Sequence, residues 1–353
     1  MARAGAARGE IQMTEGSLWK NILLFSIPLV FSQLLQVMFN MADVAVVGKF
    51  ASDTALGSVG STSTLVTLFT GFLIGMGNGV NVRVAQHLGA QHREETSRAV
   101  HTAFLLCLLA GVGIMVLCLA LAANMLEMLH TKDDLLPGAV LYFRIYALGM
   151  PALGIFNFGN AVLSANGDTK RPLLYLTIAG ILNVILNLLF VIVCKMAADG
   201  VALASVISQY VSAILVVWHM MRLNDACKFY FQRLRFHGDE VGRILGLGVP
   251  AGIQHMIFAI ANLFIQAAVN SFDSTMVSGN AAAANTDTII YNIMMAFYTA
   301  CSTFMGQNWG AGHKKRMMDS YLISLFYAFA VAAVLGVAFY FAGRPFLYVF
   351  TNS

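Results

Sequence analysis

FSQLLQVMFNMADVAVVG, residues 31–48, lies inside a run from Ile22 to Val47 whose only ionisable side chain is Asp43. About 20 consecutive apolar residues suffice to cross the hydrocarbon core of a bilayer, so this run reads as a membrane-spanning helix. A carboxylate inside such a helix belongs against protein or a water-filled cavity, because lipid offers it no partner. Gln33, Gln36, Asn40 and Asp43 follow one another at spacings of three, four and three, which places all four on one helix face. Such a polar stripe reads as a cavity lining with a proton- or cation-binding group at its end. The competing reading is an interfacial carboxylate paired with Lys49.

The rest of the chain has the same character. Of its 353 residues 58% are hydrophobic and only 11% are charged, against about 25% charged in a soluble domain. Apolar runs of membrane-spanning length recur at about 20–47, 56–82, 98–122, 137–161, 172–195, 199–221, 243–270, 279–306 and 317–342. They lack the alternation of barrel strands, so the expected fold is an all-α polytopic membrane protein. If the N-terminus is cytoplasmic, sixteen Lys and Arg fall on the cytoplasmic side and four on the other, with Arg144 inside a span. That asymmetry obeys the positive-inside rule. Trp19, Trp218 and Trp309 fall at the same span ends, as interface anchors do. The net charge of +4 therefore reflects topology, and nucleic acid is not an expected partner. The five cysteines show no metal-like spacing, and no nucleophile–base pair, zinc motif or phosphate loop suggests an enzyme. Residues 1–12 read as a disordered leader, with Met13 a second candidate start.

The chain also repeats itself. LFSIPLVFSQLLQVMFNMA (24–42) is similar to LGLGVPAGIQHMIFAIANL (245–263), pairing Pro28 with Pro250 and Asn40 with Asn262. VAQHLGAQH (84–92) is similar to MGQNWGAGH (305–313), pairing Gly89 with Gly310. An even number of spans separates the copies, so the repeat is parallel. Such repeats are common in secondary transporters, which bind substrate between the copies. The expected organisation is a leader (1–19), a first lobe of six spans (20–221), a cytoplasmic linker (222–242) and a second lobe (243–353). Two full copies would hold twelve spans, so the second lobe is expected to be incomplete, with the counterparts of spans 4–6 missing.

These stretches, with SANGDTKRPLL (164–174), ILNVILNLLF (181–190), GVALASVISQ (200–209) and GQNWGAG (306–312), resemble the multidrug and toxic compound extrusion (MATE) transporters, in particular their DinF-like bacterial branch. The resemblance runs from about residue 14 to the end of the chain. It implies a two-lobe helix bundle in the plasma membrane that exports organic compounds, cationic or amphipathic, against a proton or sodium ion, with no further cofactor. It places Asp43 on the family's helix-1 coupling aspartate, with Asn183, Asn187, Asn160 and Ser205 around it. A second acid often stands in relatives where Asn187 stands here, which leaves Asp43 with neutral partners. Gln33, Gln36, Asn40, Asp287 and His255 are the candidate substrate-cavity residues. The expected partners are small organic molecules and membrane lipids; the oligomeric state stays open, a monomer included. Two other readings remain: a flippase for lipid-linked precursors, disfavoured because Arg144 is the one clear base inside the spans, and a non-transporting truncated fragment.

Overall fold

The computed structural model describes residues 11–269 and 274–347, and among these the regular structure is helical. Ten α-helices follow in order: α1 Leu18–Phe50, α2 Asp53–Gly89, α3 Arg93–Met128, α4 Leu136–Ala147, α5 Met150–Ala165, α6 Lys170–Leu188, α7 Ala198–Met221, α8 Gly238–Val269, α9 Ser274–Gly310 and α10 Lys314–Leu347. Eight of them are long and apolar enough to cross a membrane, and α4 with α5 makes a ninth span bent by 44°.

The run 137–161, read as one helix, is in fact this broken pair. Pro151 in the first turn of α5 has no N–H to continue the hydrogen-bond ladder, and Gly149 stands just before it. The Tyr210 hydroxyl of α7 donates to the Leu148 carbonyl at 3.1 Å, capping the break. At Gly149 any side chain would strike Gln209 of α7, so the break also brings two helices close together. Helix α6 likewise ends irregularly, in a π-turn at Leu189–Val193 that begins two residues after Asn187. Pro28 and Pro250, by contrast, lie inside unbroken helices α1 and α8.

The repeat copies meet face to face. Helix α2 packs along α8 and α9, while α1 packs on α9 and α6. Lipid tails are as apolar as leucine, so nothing like the hydrophobic effect in water pulls these helices together; close packing must do it. At Gly75 and Gly79 of α2, an added Cβ would collide with the backbone of Gly252 and Gly248 on α8. At Gly89 it would collide with the Gln307 carbonyl, and at Gly310 with that of Gln86. Gly89 pairs with Gly310 in the repeat and Gln86 with Gln307, so each copy makes the other's contact, as about a pseudo-twofold axis. Nearby, the Thr303 hydroxyl donates to Asn81 Oδ1 at 2.8 Å.

Charge reinforces this end of the seam. Arg83 of α2 grips Glu240 of α8 with two hydrogen bonds of 2.7 and 2.8 Å, and His87 Nε2 lies 3.0 Å from the same carboxylate. All three side chains are buried. Two connecting segments then cross between the copies. Residues 11–17, ahead of α1, are tied to α9 and α10: the buried Met13 gives its carbonyl to Asn308 and Arg316, and Arg316 also reaches Glu15 and Gly16. Ile11 bonds to Gly167, whose φ of 98° and contact with the Ile11 carbonyl exclude a side chain. In return, the linker ahead of α8 is tied to α3. Tyr230 donates its amide to His101 Nε2 at 3.0 Å, and Thr102 bonds to Arg235 and His237. Ile11 is thus held in place where a disordered leader was expected; residues 1–10 lie outside the described residues.

Replacing Gly75 by Leu should force α2 off α8 and destabilise the chain by about 1–3 kcal/mol. Gly113→Leu, where a Cβ meets open space, should change stability by less than about 0.5 kcal/mol. Thermal unfolding of the detergent-solubilised proteins would measure both.

Candidate functional site

The site grows from Asp43, in the last third of α1, far from the end that carries the linker. Asp43 turns toward α6 and α7. Asn187 Nδ2 donates to Asp43 Oδ1 in a short hydrogen bond, and Ser205 Oγ approaches Asp43 Oδ2 at 3.5 Å. Asn187 Nδ2 also reaches Asn183 Oδ1 at 3.2 Å, and Asn183 Nδ2 reaches Ser205 Oγ at 3.3 Å. The four side chains form a closed ring in which donors converge on the carboxylate. Asn183, Asn187 and Ser205 are buried and Asp43 is half-buried. The α6 pair arises from i, i+4 spacing on one helix face. Close approach of α1 to α6 needs Gly180, where a side chain would strike the Phe39 ring.

No cationic side chain among the described residues joins this ring. The ion pairs found among them are Arg83 and His87 with Glu240, Arg98 with Glu94 and Arg171 with Asp168. Lys49, the alternative partner for Asp43, sits over the Phe50 ring instead. One buried polar atom of the ring, Asn187 Oδ1, has no hydrogen-bond partner. The site is thus a carboxyl group held by neutral donors, with an unused acceptor beside it.

The other candidates scatter. Gln33 and Gln36 are half-buried, Asn40 is exposed, and none of the three hydrogen-bonds to the Asp43 ring. Asn160 is half-buried on α5 and makes no hydrogen bond within the ring. His255 on α8 is half-buried, with its Cβ packed over Gly71, and Asp287 on α9 is exposed. A groove of about 590 Å³ opens between α2, α8 and the end of α3, away from the linker, with Ser63, Thr64, Thr67, His130, Asn262 and Gln266 in its lining. Asn262 is the repeat counterpart of Asn40, so the matched polar position in the second copy does face open space.

Two tyrosines escaped the sequence reading. Tyr142 and Tyr146 of α4 stack at 6.0 Å and lie near Asp43. Their i, i+4 spacing was visible, but tyrosine at a span end reads equally well as an interface anchor.

The ring makes a quantitative prediction. A double-mutant cycle of Asp43→Asn with Asn187→Ala should show a coupling of about 0.5–3 kcal/mol in thermal unfolding, whereas Asp43→Asn with Gln33→Ala, farther along α1, should be additive within about 0.5 kcal/mol.

Comparison with known proteins agrees with this architecture. The MatE family model matches residues 28–189 and 250–353, the two copies of the repeat. The chain is 30% identical over 304 residues to the probable multidrug resistance protein YpnP of Bacillus subtilis, covering 86% of this chain and 68% of that protein. It is 23% identical over 341 residues to an FAD transporter of Shewanella oneidensis, covering 94% and 74%. Among solved structures, an outward-facing multidrug resistance MATE family transporter superposes with a TM-score of 0.90 at 21% identity, over 98% of this chain and 77% of that one. A Pyrococcus furiosus transporter of the MOP superfamily, described as having a binding pocket of reversed polarity, gives 0.90 at 22% identity, over 99% and 77%. The residues of both repeat copies, the helical order and the fold agree: the chain belongs to the MatE family of multi-pass membrane transporters.

Proposed function

We propose that this chain exports organic compounds, cationic or amphipathic, across the plasma membrane in exchange for a proton or sodium ion, with Asp43 as the coupling carboxylate. The observation that carries the reading is the Asp43 ring: a carboxylate among membrane-spanning helices, bonded by Asn187 and Ser205 with Asn183 closing the ring, and with no cationic side chain beside it among the described residues. A charge withdrawn from water and matched only by neutral groups is costly, and an arriving cation relieves that cost. The free Oδ1 of Asn187 gives a proton on Asp43 an acceptor, or a sodium ion one more oxygen ligand. Because Asn187 is neutral, a single carboxylate carries the cycle.

The excess of Lys and Arg at the linker end makes that end cytoplasmic. The groove between α2 and α8 then opens outward, and the packed glycine seam with the Arg83–Glu240 pair closes the inner side. Ion entering from outside and substrate arriving from inside would alternate as the seam opens and closes. The names of several relatives as multidrug resistance proteins support organic compounds as cargo.

Ethidium efflux from energised cells stripped of their own exporters tests this. The chain should lower cellular ethidium, and Asp43→Asn should return it to the level of cells without the chain while membrane insertion persists. Collapse of the proton or the sodium gradient should each be tried, and one should abolish efflux. Undiminished efflux by Asp43→Asn would refute the coupling role.

A further inference from the structure

A second pocket, larger than the α2–α8 groove, lies away from Asp43. It measures about 760 Å³ and sits at the linker end, between the start of α3 and the segment joining α7 to α8. Five cationic side chains line it: Arg93 and Arg98 from α3, and Lys228, Arg233 and Arg235 from the linker. Two acids share the lining, and both are occupied. Glu94 is paired with Arg98. Asp225 accepts from the Asn166 side chain and the Cys227 amide, both at 2.8 Å. Arg93, Lys228, Arg233 and Arg235 therefore have no carboxylate partner among the described residues.

The pocket is built, not a chance meeting of loose side chains. His101 forms its floor. Its Nε2 accepts from the Tyr230 amide and its Nδ1 lies 2.6 Å from the Ser97 carbonyl, so the ring is fixed on α3 and holds the linker in place. The ring stacks on Phe229, which is itself buried against Phe104 and Phe158. Lys228 and Arg233 both lie over the Tyr230 ring, at 5.4 and 4.8 Å. Cations that would repel one another are thus held around one space, an arrangement that favours an anionic guest.

The linker sequence says where that guest comes from. In YFQRLRF (230–236), Phe231 and Phe236 are 56% and 47% exposed and flank Arg233 and Arg235. Exposed phenylalanines between arginines suit the boundary between lipid headgroups and acyl chains, where rings enter the apolar layer and guanidinium groups meet phosphate. Trp218, exposed at the end of α7 with Arg222 over its ring at 3.9 Å, marks the same level. We infer that this pocket binds the phosphate headgroup of an anionic membrane phospholipid. The bound lipid ties α3 to the linker, and so bridges the two repeat copies at the end where they are most tightly packed.

Native mass spectrometry of the full chain tests the site, with phosphatidylglycerol and phosphatidylcholine offered separately. The chain should retain one phosphatidylglycerol under conditions that strip phosphatidylcholine. Basic groups near an anionic surface contribute about fivefold each to affinity, so Arg233→Gln with Arg235→Gln should weaken retention about thirtyfold. Arg93→Gln with Lys228→Gln, which includes α3, should do the same, so misfolding of either pair leaves the other informative. Lys314→Gln with Lys315→Gln removes equal charge at the same end of the bundle but outside the pocket, and should leave retention unchanged. Equal loss in that control would reduce the effect to diffuse surface charge and overturn the site, as would equal retention of both lipids. Inorganic phosphate binding that the pocket variants abolish, without preference between the lipids, would assign the pocket to a soluble anion and overturn the lipid.

Discussion

The backbone-on-backbone approach of α2 to α8 and α9 is the constraint on which the rest depends. In a bilayer, helices gain little by hiding apolar surface from one another, so association rests on how closely they can pack. Glycines at 75, 79, 89 and 310 bring main chains so near that no Cβ fits. Once α2 is locked there, α1 is left to pack between α9 and α6, which carries Asp43 to Asn187. The polar ring is thus a product of the seam as much as of its own residues.

The molecule buries charge in two opposite ways. At the linker end, Glu240 receives a bidentate arginine and a histidine, a fully matched cluster whose disruption would strand a charge. At the other end, Asp43 receives only one amide and a hydroxyl. The matched cluster suits a joint that holds one arrangement; the carboxyl group with only neutral partners is the feature on which the proposed coupling role rests. The same contrast separates both from the basic pocket, where the surplus is positive and the missing partner is anionic.

Much of this was legible in the chain. Nine spans follow from apolar runs that must be helical in lipid, and the repeat follows from matched prolines and glycines. Asp43 was conspicuous because lipid cannot solvate a lone carboxylate, so its place in an apolar run already pointed to protein or water beside it. Its partners Asn183, Asn187 and Ser205 were reached through family resemblance, since spacing within one helix cannot reveal which helix lies opposite. The break at Leu148–Gly149 was missed because Gly149 and Pro151 interrupt a composition that otherwise reads as continuous. The Gln33, Gln36 and Asn40 stripe was correct in its periodicity, yet periodicity does not say whether a face meets a cavity, lipid or another helix. Arg83 and Glu240 are 157 residues apart, a pairing that only the fold discloses.

The two crossing segments carry one more consequence. Residues 11–17 of the first copy hold to α10 of the second, while residues 230–237 ahead of the second copy hold to α3 of the first. Each copy therefore wears the other's collar. Loosening one leaves its counterpart fastened, so parting the copies at this end means releasing ties on both sides of the joint.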